Sequence, residues 1–209
     1  MSRIARLTDA LNGRKTVLMF AGAAAALAGS ATASAATLAP GAHAATVRKP
    51  AAVHLTAKRS PARPYQIYDS VTPSQIPSGH DVATYADGGF AVSPSQVHAR
   101  HVLWIDTNGS DPKASALDVE PGDATPSGAA TWARAKLSAE PSATAIIYTM
   151  RSDWPAAKAA VAALPQRMQS HVKWWIADPT GVRHIIPGAS ATQWYWGKNY
   201  DITTARPGF

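Results

Sequence analysis

The sequence contains no cysteine. Disulfides, zinc–thiolate sites and a cysteine nucleophile are therefore excluded, and stability must come from a packed core. There is no G-x-S-x-G, no P-loop and no G-x-G-x-x-G, so serine-hydrolase and nucleotide-binding readings have no motif to rest on. No internal repeat is evident. Excess positive charge is also missing from most of the chain, despite a formal net charge of +7. From Pro64 onward there are 11 Lys+Arg against 12 Asp+Glu. The basicity lies before that point, so a nucleic-acid partner, which needs a basic face on the fold, is not expected. Glutamate is scarce there as well, with only Glu120 and Glu140.

The first 44 residues do not have the pattern of a folded domain. Arg3, Arg6, Arg14 and Lys15 precede an apolar run from Val17 to Ala28. Small residues follow, with two A-x-A sites, Ala33-Ser34-Ala35 and Ala42-His43-Ala44. This order predicts a signal peptide over residues 1–44 and a secreted product, extracellular or associated with the cell wall, with an uncleaved N-terminal anchor as the alternative. The apolar run falls short of the ~20 residues of a membrane span, so no stable span is expected after cleavage. Residues 45–64 mix Ala, Pro and basic residues without period, which predicts a disordered basic linker.

From Tyr65 short apolar runs rich in aromatic and β-branched residues alternate with polar or Ala-rich stretches. Strands are expected at Tyr65–Tyr68, Val82–Tyr85, Val102–Ile105, Ala116–Val119, Ala145–Tyr148, Val172–Ala177 and Thr192–Trp196. Thr125-Pro126 predicts an N-cap and first turn for a helix to about Ala139. Ser152 is expected to cap a second helix, Trp154–Leu164, and a weaker one lies at Ser93–Arg100. Alternating strands and helices indicate an α/β fold with a parallel sheet. Residues 106–115 leave no room for a crossover helix. The span of 65–209 is also short of the ~250 residues of a full eight-fold barrel, so a reduced or irregular (β/α) TIM-type barrel is expected.

The acids are placed unevenly. Asp69, Asp106, Asp118 with Glu120, and Asp178 all sit at or just after the C-terminal ends of predicted strands. In a parallel barrel those ends converge on the face that carries active sites. Asp118 and Glu120 are i and i+2 on a strand, so both side chains point one way, ~7 Å apart. Crowding of that kind favours one protonated acid beside one ionised partner, the pair that glycoside hydrolysis requires. A D-x-E pair alone equally fits a solvated strand end. The seven Trp and six Tyr of the chain add flat apolar faces suited to sugar rings, many of them in or beside strands. His98 and His101 lack an acidic third ligand and indicate no metal site. Ser110-Asp111-Pro112, Pro121-Gly122-Asp123 and Gly88-Gly89 are expected turns.

Taken in order, Ile67-Tyr68-Asp69, Asp118-Val119-Glu120, Ile147-Tyr148-Thr149 with Trp154, Trp175-Ile176-Ala177, Gln193-Trp194-Tyr195 and Asp201 resemble the family 25 glycoside hydrolases, the muramidase lysozymes, and related domains of secreted actinobacterial proteins. The likeness spans about 140 residues. It implies Glu120 as general acid and Asp118 as the group that stabilises the charged intermediate or orients the substrate N-acetyl group. It also implies a cleft lined by Asp69, Tyr148, Trp175, Gln193, Trp194 and Asp201, with Asp106 and Asp178 at neighbouring strand ends, and no cofactor. Gln66-Ile67-Tyr68-Asp69-Ser70 replaces the family's opening G-I-D-V-S, and the region between the third and fourth strands is cut down. Three functions are compatible with these residues: a glycosidase acting on peptidoglycan or a related glycan, a non-catalytic glycan- or cell-wall-binding domain, and a structural domain with no sugar site.

Overall fold

The structure, a computed structural model, describes residues 62–209. The expected signal peptide, 1–44, and nearly all of the expected linker lie outside the described residues.

Eight strands close a barrel in sequence order: β1 Tyr65–Asp69, β2 Asp81–Tyr85, β3 Val102–Asp106, β4 Ala116–Val119, β5 Ala145–Met150, β6 Val172–Ala177, β7 Ala191–Trp196 and β8 Asp201–Ala205. Strands β1 to β7 pair in parallel with their neighbours. β8 runs antiparallel to both β7 and β1 and seals the barrel. All seven expected strands form. The eighth, Asp-Ile-Thr-Thr-Ala, has no apolar run to announce it. Its threonines are buried because their hydroxyls accept indole N–H bonds, from Trp175 to Thr203 (2.8 Å) and from Trp194 to Thr204 (3.0 Å).

Helices are few, so the fold is a closed α/β barrel without a helix after each strand. Helix α1, Pro126–Ala139, begins at the expected cap, where Thr125 Oγ1 accepts the Gly128 N–H (3.2 Å). Helix α2 spans Trp154–Val161 and a one-turn helix α3 spans Gln166–Gln169. The N-cap position of α2 is Asp153, not Ser152, and it makes no side-chain cap bond. The expected Ser93–Arg100 helix shrinks to a single 3₁₀ turn, Pro94–Gln96.

Alternation along the strands divides the core in two. Ile67, Ala83, Tyr85, Ile105, Ala116, Ile146, Tyr148, Trp175, Ala177, Ala191 and Ala205 fill the barrel interior. Leu117, Val119, Ala145 and Ile147 face outward and meet Trp132, Ala133 and Leu137 of α1. Between β3 and β4, where no helix fits, a loop takes its place. Lys136 of α1 reaches into it, and its ammonium donates to the carbonyls of Ala114 (2.8 Å) and Pro112 (3.2 Å). Burial pushes Lys136 below its ordinary 10.5, opposed by Glu140 and Asp111. The unfolded chain therefore holds this proton more tightly, and the protein should gain stability as pH rises toward 10.5. Denaturant titrations from pH 8 to 10.5 should show that rise in the wild type and a flatter profile in Lys136→Met. Equal slopes in the two proteins would rule out Lys136 as its source.

Candidate active site

Because β1 to β7 run the same way, their C-terminal ends share one mouth, and antiparallel β8 contributes its first residue there. Which end residues enter that mouth is decided by phase. Asp69 is two residues beyond interior Ile67, Asp118 is two beyond Ala116, and Tyr148 is two beyond Ile146. Gln193 is two beyond Ala191, and Asp201 lies two before Thr203. Successive side chains point to opposite faces of a strand, so all five face inward. Pairing then sets neighbours: Asp69 opposes Asp201 across β1 and β8, and Asp118 opposes Tyr148 across β4 and β5.

A hydrogen-bond chain crosses the floor. The Tyr148 hydroxyl donates to Gln193 Oε1 (2.8 Å), and the Trp196 indole N–H donates to the same oxygen (2.7 Å). Two donors on one oxygen fix the amide, so Gln193 Nε2 donates to Asp69 Oδ2 (3.1 Å). At the β7–β8 hairpin the Gly197 N–H donates to Asp201 Oδ1 (3.0 Å). Asp69, Asp118, Tyr148 and Gln193 are buried and Glu120 is half-buried, so the acids lie on a formed floor.

Beyond β4 the chain turns back sharply. Glu120-Pro121-Gly122-Asp123 is a β-turn closed by the Asp123 N–H donating to the Glu120 carbonyl (3.0 Å), with Gly122 at φ 101°. Proline at the second position and positive φ at the third define type II, as expected of Pro-Gly. The turn brings Asp123 beside the D-x-E pair. One oxygen each from Asp118, Glu120 and Asp123 lies within 4.8 Å of the others. Charges that close repel by roughly 3–4 kcal/mol per pair at an effective dielectric of ~20, so the group attracts a proton or a cation. Three carboxylates are also a hard-oxygen donor set of the kind divalent cations take.

Four of the expected site residues go elsewhere. Asp106 is one residue beyond interior Ile105, so its phase turns it away from the mouth. It is fully buried, and its oxygens accept N–H bonds from Asn108 (3.0 Å), Gly109 (2.7 Å) and Asp111 (2.8 Å), holding the β3–β4 loop. Burial pushes its carboxyl above the usual range and Asp87 adds to this, outweighing the three N–H bonds that pull it down. Asp106→Asn removes one acceptor oxygen and should cost about 1–3 kcal/mol with no change in any cleft activity, measured by urea denaturation and turnover together. Asp178, one residue beyond Ala177, instead pairs with Arg151 (3.1 Å) and His184 (3.0 Å). Trp175 points inward but lies wholly beneath the floor, edge-on to Tyr148 at 5.0 Å, with its N–H on Thr203.

Trp194 is displaced by a β-bulge. The β7–β8 register shifts between Gln193 and Tyr195, so Tyr195 opposes Ile202 and Trp196 opposes Asp201. Trp194 and Tyr195 both fall on the outer face, and Trp196 returns to the inner one. Trp196 thus takes the place expected of Trp194. Tyr85, in phase with Ala83, and Asp123 complete the inward set that motif reading passed over. Tyr85 could have been found from strand phase and Asp123 from the Pro-Gly turn. Nothing in the sequence announces the bulge. His101 is an exposed partner of Asp81 (3.1 Å) just before β3.

No protein-family model matches the chain, and neither a curated protein nor a solved structure is significantly similar to it.

Proposed function

We propose that this is a secreted glycoside hydrolase acting on peptidoglycan or a related glycan, on a reduced relative of the TIM-type barrel. The observation that carries the reading is the gathering of Asp69, Asp118, Glu120, Asp123 and Asp201 at one barrel mouth beside Tyr148, Gln193 and Trp196. Glu120, the more exposed member of the D-x-E pair, protonates the leaving glycosidic oxygen. Asp118, held at the floor, stabilises the positive charge that develops at the sugar carbon or orients the substrate's own amide. Oxygens within 4.8 Å suit double displacement or substrate-assisted reaction better than the ~6.5–9.5 Å gap that admits a water between two carboxyls. Trp196 offers a ring face for a sugar. The basic–apolar–small order of residues 1–44 supports export. Among the described residues, no helix is long and apolar enough to cross a membrane.

The test is incubation of the full chain with purified peptidoglycan, followed by analysis of soluble muropeptides. Release of saccharide fragments with new reducing ends is expected. Tight binding without any release would replace the hydrolase with a non-catalytic glycan-binding domain.

A further inference from the structure

The bulge in β7 does more than bring Trp196 into the mouth. It places two consecutive aromatic residues, Trp194 and Tyr195, on the outer face, with ring centroids 5.9 Å apart and planes tilted by 55°. No helix among the described residues covers this face: β6 joins β7 through residues 178–190 without one, and β7 joins β8 through residues 197–200. Tyr195 is 39% exposed, against burial for most large apolar side chains of the barrel. Trp194 and Arg183 are anchored to one hydroxyl. The Trp194 indole N–H donates to Thr204 Oγ1 (3.0 Å), and Arg183 Nε donates to the same oxygen (3.2 Å). Arg183 is exposed and forms no ion pair with any described acid. A guanidinium is therefore fixed beside two rings, with its remaining donors available for a carboxylate. This surface adjoins the candidate site across the barrel rim, because Tyr195 and Trp196 are the last two residues of β7, one on the outer face and one on the inner.

We infer that Trp194, Tyr195 and Arg183 form a second glycan-binding surface outside the cleft, which holds a carboxylate-bearing polysaccharide strand where it passes over the barrel rim at the end of β7. The inference rests on the glycan reading of the mouth. Its chemistry is that of a polymer: rings stack on sugar faces, the guanidinium takes an acidic substituent, and a strand long enough to cross the rim engages both surfaces. A short soluble fragment bound in the cleft does not reach the outer face.

The test uses the full chain carrying Glu120→Gln, so that the probe is not consumed, sedimented with insoluble peptidoglycan. Adding Tyr195→Ala should raise the apparent Kd about tenfold, the size expected of one lost stacking contact. Tyr195→Phe should restore binding. Arg183→Gln should weaken binding at low salt and lose its effect at high salt. Thermal melts of each variant check that the barrel is intact. Unchanged Kd values for Tyr195→Ala and Arg183→Gln would overturn the inference. A shift in molar mass by light scattering on Tyr195→Ala would also overturn it, because the face would then join two copies of the chain. Muropeptide release by the wild type is read separately, so failure of the hydrolase and failure of this surface give different results.

Discussion

Glu120→Gln should leave the barrel folded and lower muropeptide release by roughly 10²–10⁴-fold, the range expected for loss of one positioned general acid. The amide keeps the size and much of the hydrogen bonding of the carboxyl but cannot donate a proton to a leaving oxygen. Glu120 follows β4, is half-buried and belongs to none of the apolar core clusters, so the near-isosteric amide leaves that packing in place. Its thermal midpoint should therefore stay near that of the wild type. Asp118→Asn should also reduce turnover, but with a different signature. Glu120→Gln should retain more activity on substrates with acidic leaving groups, which need little protonation, whereas Asp118→Asn should not. Wild-type release by Glu120→Gln would remove the acid role from this residue and send the search to Asp69, Asp123 and Asp201.

The second large effect is on stability. Trp175→Ala should cost about 3–5 kcal/mol, enough to unfold much of the population of a marginally stable domain. Trp175 is wholly buried, packs edge-on against Tyr148 and Phe209, and donates to Thr203, so alanine leaves both a cavity and an unmatched hydroxyl. Trp175→Phe keeps most of the volume and loses only the N–H bond. It should cost about 1–3 kcal/mol and leave glycan binding unchanged. Chemical denaturation of the two variants beside a glycan-binding isotherm separates a core residue from a sugar platform. Lost binding in a fully stable Trp175→Phe would return this residue to the cleft.

Trp175 also shows how a sequence motif and a structural role come apart. Trp-Ile-Ala in a strand is equally compatible with a ring at the mouth and a ring below it, because depth along the barrel axis depends on register with the neighbouring strands. Register pairs Trp175 with Tyr148 and Ala191, one layer beneath the end of β6. The acids teach a similar lesson. Asp69, Asp106, Asp118 and Asp178 all follow apolar strand residues and look alike in the sequence. Two of them are in phase with their strand's interior residues and enter the mouth. Asp106 and Asp178 are out of phase by one and serve a loop and an ion pair instead.

The sequence by itself determined the seven parallel strands, the capped start of α1, the missing crossover between β3 and β4, and the closeness of Asp118 and Glu120. These are local matters: apolar runs, N-cap chemistry, chain length and the two-residue period of a strand, none of which needs a distant partner. Tertiary structure alone decided that Thr-rich β8 closes the barrel, because its polar side chains are buried only when Trp175 and Trp194 donate to them. It also decided that Trp196 and not Trp194 faces the mouth, because one extra residue opposite β8 reverses the alternation. A bulge is a property of two paired strands, and no single strand's sequence contains it.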